Sequence, residues 1–341
     1  MTQPFPAPDT QSTLRAPSVS LENIFADVQD DLDRVEQIIR EKVQSKLGLV
    51  ESSSRYIYRS GGKRVRPALL LLCARACDYR GDKGPSYAAV TEFIHTATLV
   101  HDDIVDGATM RRGQQSVNAL LGNDFTVLLG DFLYIRSIAL AIEQGSLEML
   151  EVICEITLRM IEGMVLELTR GGAVDLNEEE HLDILKRKTA YLFFGCAQMG
   201  AILGKASPEI VQTLGEYGMN MGMAFQVADD LLDFTADEKV VGKPVLSDLK
   251  EGHVTLPIIY ALETEPRALP TVQAVLERGA IDDVSRKEIL DLVRRTRSLE
   301  RARNVAEQYA REAQESLAPL EESPAKEALM ALAYYVIDRN R

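Results

Sequence analysis

Apolar residues recur at intervals of three and four along most of this chain, the spacing of one face of an α-helix. The first such run, LENIFADVQDDLDRVEQIIREKVQ, predicts a helix from Leu21 to Gln44, with Ser20 as its N-terminal cap. Its acidic pair, Asp30 and Asp31, falls among polar positions and is expected to be solvated. In the next segment, RSGGKRVRP, Gly61 and Gly62 stop the preceding helix, and Pro67 suits the first turn of the following one. A turn cluster, YRGDKGPS, spans 79–86. Further helical runs are predicted to GATMRRGQQS and then over 123–143, 146–170, 178–204 and 207–234. After the loop TADEKVVGKPVLSDLKEGHVT, helices resume near 255, with a Pro-marked turn near 266–270. No segment alternates as a strand should, and no repeat of about 20–50 residues recurs. The predicted fold is all-α, a single-domain bundle of mostly antiparallel helices around a central cavity over residues 21–341. A Pro/Ser/Thr-rich tail, 1–20, precedes it and is predicted to be disordered.

Composition supports this outline. Hydrophobic residues make up 46% of the 341, tryptophan is absent, and Ala, Leu, Ile and Glu are plentiful, which favours helices over a sandwich or barrel. The net charge of −14 argues against a nucleic-acid partner. It also means that a phosphorylated ligand must be met by local basic clusters or metal ions. Cys73, Cys77, Cys154 and Cys196 form neither a zinc spacing nor a secreted disulfide framework, and they suit a reducing cytosol. The N-terminus has no signal-peptide pattern, and no apolar run approaches transmembrane length, so a cytoplasmic location is expected.

Two copies of one acidic pattern carry the chemistry. TATLVHDDIVD supplies Asp102, Asp103 and Asp106, and MAFQVADDLLD supplies Asp229, Asp230 and Asp233. In each copy the first and third carboxylates are four apart and share a helix face. Like charges that close repel, and apolar flanks give them little water. Mg²⁺, a hard cation that bridges carboxylates to substrate phosphates, would neutralise them. Two clusters facing each other would cage a diphosphate.

Basic and polar groups are placed to meet such a ligand. The Gly-led loop GGKRVRP carries Lys63, Arg64 and Arg66, and Arg grips phosphate oxygens with two teeth. His95 lies two helical turns before Asp102, and Arg111 and Arg112 follow the first motif. Lys188 and Thr189 sit where a basic segment turns apolar. Gln226 precedes Asp229 by three, and Lys243 lies on the glycine/proline loop after the second motif.

This ordered set resembles the trans-isoprenyl diphosphate synthases, the polyprenyl synthetase family. The likeness runs from about residue 35 to the C-terminus through GGKRVRP, HTATLVHDDIVDGATMRRGQ, LLGDFLY, KTAYLF, GMAFQVADDLLD and GKPVLSDLKEGHVTLP. It implies the isoprenoid synthase fold and a metal-dependent prenyltransferase that condenses isopentenyl diphosphate with an allylic diphosphate. All six aspartates would serve three Mg²⁺ ions, with Mn²⁺ as a substitute. By match, Lys63, Arg66, His95 and Arg112 would hold isopentenyl diphosphate, and Arg111, Lys188 and Lys243 the allylic diphosphate. Thr189 and Gln226 would face the developing cation. A homodimer is implied, with transient membrane contact for product release.

Ala97 and Thr98, five and four residues before Asp102, are small, and the resemblance implies that bulky aromatics there would stop the growing tail. A medium- or long-chain all-trans product is expected, with Phe132 as a candidate for the tunnel floor. The chain departs from the family at His253, where many members have Lys, and at its end, where Arg339 and Arg341 are the candidates for a closing basic terminus. Three alternatives stand beside this reading: a short-chain farnesyl or geranylgeranyl diphosphate synthase, a class I terpene cyclase and a non-catalytic synthase subunit. Lys63, Arg66 and DDLLD count against the cyclase, and the six retained aspartates against the subunit.

Overall fold

Ser20 caps the first helix, its hydroxyl accepting from the Asn23 backbone N–H at 3.3 Å. The structure, a computed structural model, describes residues 20–59, 61–111, 113–235 and 245–338. Residues 1–19, and with them most of the tail, lie outside the described residues, as do Arg112, Lys243, Arg339 and Arg341.

Helices α1 (Leu21–Phe25) and α2 (Gln29–Lys42) replace the single helix predicted over 21–44. A 3₁₀ turn, Ala26–Val28, joins them, and Ile24, Phe25 and Val28 are all buried around it. Asp30 is exposed as expected. Asp31, expected to be solvated too, instead accepts from Arg75 at 2.7 Å and ties α2 to a later helix. Helix α3 (Gly48–Arg59) leads to the Gly61–Gly62 break, and α4 (Val65–Ala76) holds Pro67 in its first turn. Helix α5 (Gly84–Val105) ends on the first acidic motif. A two-residue hairpin follows, β1 (Met110–Arg111) antiparallel to β2 (Gln114–Gln115). The sequence predicted no strand. Pairs this short carry no alternation to read, and the turn holds Gly113 at φ 76°.

Helices α6 (Val117–Leu121), α7 (Asn123–Gln144) and α8 (Leu147–Arg170) precede α9 (Glu178–Leu185). Helix α9 runs through a π-helical turn, Lys186–Ala190, into α10 (Tyr191–Leu203), where one regular helix was predicted. Helix α11 (Pro208–Thr235) carries the second motif. The remainder comprises α12 (Ser247–Lys250), α13 (Leu256–Thr264), α14 (Leu269–Arg278), α15 (Asp283–Arg295), α16 (Ser298–Ser316) and α17 (Pro324–Asp338).

Helix α5 packs along α7, and α10 lies between α4 and α11, which in turn packs on α16. Two clusters of buried hydrophobics result. One is built on α4, α5 and α10, the other on α11 and α13 to α16, and Tyr309 and Ile337 pack against both. Two glycines fix the π turn between them. A Cβ at Gly163 of α8 would meet the Lys188 backbone N at 2.5 Å, and one at Gly222 of α11 would meet the Ala190 Cα at 2.7 Å.

Helix α7 corrects the reading of apolar runs. It is long and apolar enough to cross a membrane, with only 39% of its most apolar stretch buried. Scattered charges interrupt its sequence, so no unbroken run marks it.

Candidate active site

Both acidic motifs stand at helix C-termini. Asp102 and Asp103 occupy the last turn of α5, with Asp106 as its C-cap, and Asp229, Asp230 and Asp233 fall in the last two turns of α11. The C-terminal end of a helix already carries partial negative charge, so carboxylates there are disfavoured unless cations join them. Asp102, Asp106 and Asp229 line one cavity of about 610 Å³. Burial, with Asp106 and Glu167 adding to it, pushes the Asp102 carboxyl up to about 6, against the pull of Lys188. Lys188 is opposed by burial too, but Asp102, Glu167 and Asp106 outweigh it and raise its pKa.

The other three aspartates accept hydrogen bonds from nearby protein donors. Asp103 is buried and accepts from Arg111 Nε at 2.5 Å. Asp230, 4% exposed, accepts from Gln226 Nε2 and faces His181 Nε2, each at 3.1 Å. Asp233 accepts from the Ser247 N–H and hydroxyl at 2.9 and 2.7 Å and from the Asp248 N–H at 3.2 Å, so it caps α12.

The same cavity gathers Lys63, Arg66, His95, Thr98, Arg111, Lys188, Thr189 and Gln226. Arg66 meets His95 Nε2 at 3.1 Å and lays its guanidinium over the Phe193 ring. Lys63 reaches the Tyr335 hydroxyl at 3.4 Å. Arg64, read in sequence as part of the same grip, turns its guanidinium to Glu36 and Glu92 instead. Its backbone is left-handed, at φ 48°, so the two carboxylates hold the loop in a strained form. Thr189 lies in the π turn, where its hydroxyl donates to Gln226 Oε1 at 3.0 Å.

An adjoining, mostly apolar cavity of about 490 Å³ opens from Asp102 and Asp106. Ala97, Thr98, Val105, Tyr134, Ile161 and Met164 are among its walls. Phe132, the predicted floor, does not line it; its ring carries the Arg136 guanidinium at 4.9 Å, and Tyr134 takes the place along the wall.

Three contributors escaped the sequence reading. Glu167 bonds Lys188 and faces His253 Nδ1 at 3.6 Å, while His253 Nε2 stands 4.0 Å from Asp106. His181 backs Asp230, and Glu92 anchors Arg64. Each lies in an amphipathic stretch far in sequence from its partner, so no local pattern marks it.

A family model described as polyprenyl synthetase matches residues 48–293. The chain belongs to the polyprenyl synthetase family. It is a prenyltransferase with the all-α isoprenoid synthase fold. Among this family member's relatives is the octaprenyl diphosphate synthase of Escherichia coli, 39% identical over 324 residues, covering 95% of this chain and 100% of that protein. Among solved structures it is similar to a Caulobacter crescentus polyprenyl synthase complexed with calcium and isoprenyl diphosphate. The TM-score is 0.91 at 31% identity, over 96% of this chain and 100% of that one. A decaprenyl diphosphate synthase from Rhodobacter capsulatus superposes with a TM-score of 0.89 at 34% identity, over 94% and 100%.

Proposed function

We propose that this prenyltransferase condenses isopentenyl diphosphate with an allylic diphosphate and releases a medium- or long-chain all-trans polyprenyl diphosphate. The observation that carries the reading is the convergence of Asp102, Asp106 and Asp229 on one cavity beside Lys188, with an apolar cavity opening from the first motif. Residues 21–341 act as one catalytic unit.

The donor set suits hard divalent cations. Among the described residues no three carboxylate, thiol or imidazole groups converge closely enough to hold a metal alone. Mg²⁺ typically takes one or two carboxylates and completes its shell with substrate phosphate and water, which fits Asp102, Asp106 and Asp229 as holders. Bound Mg²⁺, expected as three ions and replaceable by Mn²⁺, would neutralise the diphosphate and favour its departure. Asp103, Asp230 and Asp233 support the site through Arg111, Gln226 and α12. The calcium in the Caulobacter structure supports divalent-metal use.

Lys188, Arg111 and Lys243 draw the allylic diphosphate, and Lys63, Arg66, His95 and Arg112 hold isopentenyl diphosphate. The Thr189 and Gln226 dipoles stabilise positive charge as the allylic C–O bond breaks. The isopentenyl double bond then attacks that carbon, and a proton leaves to the departing diphosphate. The tail extends past Ala97 and Thr98 into the apolar cavity. The relatives named for octaprenyl and decaprenyl products support the longer range.

The exposed apolar face of α7 and α8, including Leu128, Ile135, Leu158 and Val165, is covered by a second copy in a cytoplasmic homodimer that touches membrane only to release product. The deciding experiment is turnover of labelled isopentenyl diphosphate with several allylic primers, with and without Mg²⁺. Full activity in excess chelator would refute the reading.

A further inference from the structure

A chain of three hydrogen bonds runs from a buried imidazole to the cavity. His181 Nε2 stands 3.1 Å from Asp230 Oδ2, and the two side chains are 7% and 6% exposed. The other oxygen of Asp230 lies 3.1 Å from Gln226 Nε2. At the far end, Gln226 Oε1 lies 3.0 Å from the Thr189 hydroxyl. None of these four side chains belongs to the cluster of Asp102, Asp106 and Asp229, and His181 stood outside every sequence expectation.

The direction of the chain follows from donor inventories. A carboxylate has no proton to give, so both of its neighbours must donate to it. Asp230 therefore fixes the Gln226 amide with its N–H₂ toward the carboxylate and its oxygen toward Thr189. That oxygen can only accept, so the Thr189 proton points at Gln226. The lone pairs of the Thr189 oxygen are what remain for the cavity, which Thr189 and Gln226 both line. His181 holds the carboxylate by its other oxygen, and both side chains line an adjoining cavity with Thr189 and Gln226.

We propose that His181 is a positioning residue which, through Asp230 and Gln226, presents the lone pairs of Thr189 rather than its proton to the reacting allylic carbon. The proposal rests on the prenyl-transfer reading above. A fixed dipole aimed where charge develops acts strongly in a site with little water and needs no reorganisation as the C–O bond breaks. Asp230 serves in it as the polarity-setting group.

Asp230→Asn provides the test, because asparagine can offer its own N–H₂ to Gln226. The glutamine amide then flips, and the Thr189 proton turns into the cavity. Two non-reactive probes are compared by calorimetry with Mg²⁺ present. One is an allylic diphosphate analogue with an ammonium nitrogen at the site of developing charge, and the other is its uncharged carbon isostere. Both carry the same diphosphate, so any change in metal or phosphate binding cancels in the ratio of their affinities. Wild type should prefer the ammonium probe, and Asp230→Asn should cut that preference about tenfold. His181→Leu should cut it less, and His181→Gln, which keeps a donor, should restore it. In a Thr189→Val background, Asp230→Asn should have no further effect.

An unchanged preference in Asp230→Asn, or a loss that persists without the Thr189 hydroxyl, overturns the proposal. If Asp230→Asn does not fold, the His181 pair decides it: equal preferences in the leucine and glutamine variants overturn it. A wild type that binds the uncharged probe but shows no ammonium preference overturns it and leaves the prenyl-transfer reading standing. A wild type that binds neither probe removes both.

Discussion

The Lys188 ammonium stands 4.0 Å from the Asp102 carboxylate, yet its closer partner is Glu167. Lys188 therefore only partly offsets the cost of burying Asp102, whose carboxyl stays pushed up to about 6 from its ordinary value of 3.8. Between pH 4 and 6 the folded, metal-free protein keeps a proton that the unfolded chain has lost. Its stability should therefore fall as pH rises through that window, by about 3 kcal/mol. Asp102→Asn removes the charge. In chelator it should raise the melting temperature at pH 7.5 and change it little at pH 4. Equal effects at both pH values would show that Asp102 is not strained by burial.

The six aspartates should separate by role. Asp102→Ala or Asp229→Ala should lower kcat about 10³-fold or more, because each removes part of a charge clamp that the reaction needs. Asp233→Ala strips an acceptor from three donors on α12. It should destabilise the fold by about 1–3 kcal/mol and lower the rate less. Asp30→Ala, at an exposed position, should leave both unchanged. Steady-state kinetics beside denaturant melts distinguish these patterns.

The basic residues should divide by substrate. Lys63→Ala and Arg66→Ala should mainly raise KM for isopentenyl diphosphate, whereas Lys188→Ala should act on the allylic substrate or on kcat. Identical changes toward both substrates in all three variants would contradict the assignment.

Product length should depend on Ala97. It is 2% exposed and shares the apolar cavity with Thr98, so Ala97→Tyr should plug the tail's path. Chromatography should then show a shift from products of about hexaprenyl to decaprenyl size, which a helix-length tunnel can hold, toward farnesyl or geranylgeranyl size. Overpacking could itself cost about 1–3 kcal/mol, so a thermal melt is the control. A well-folded variant with the wild-type product would place the tail elsewhere.

The apolar face of α7 and α8 gives a fifth expectation. Charges placed together at Leu128 and Val165, both exposed, as Leu128→Glu and Val165→Glu, should split the proposed homodimer. Sedimentation should report monomers, and an unchanged mass would mean that this face is not the interface.

Much of the protein was legible in its sequence because the signals are local. Three- and four-residue periodicity marks helices wherever it occurs; Ser20 marks a boundary through its hydroxyl, and Pro67 and Gly61–Gly62 through their backbone chemistry. The paired Asp-rich motifs and the GGKRVRP loop, in their order with the other shared segments, carried the resemblance to the family before any coordinates, and residue type and spacing alone placed the first and third carboxylates of each motif on one helix face. What the sequence could not show was which way a side chain turns once helices distant in sequence meet. The tertiary structure sends Arg64 to Glu36 and Glu92 while Arg66 stays in the cavity. It opens Asp102, Asp106 and Asp229 to that cavity and engages Asp103, Asp230 and Asp233 with Arg111, His181 and Ser247. It brings Glu167 and His181 to the site and inserts the π turn at Thr189, where Gly163 and Gly222 let two helices close in. Spacing along one helix fixes which residues are neighbours on its surface, as for Gln226 and Asp230, but partners on different helices, such as His181 and Asp230, depend on how helices pack.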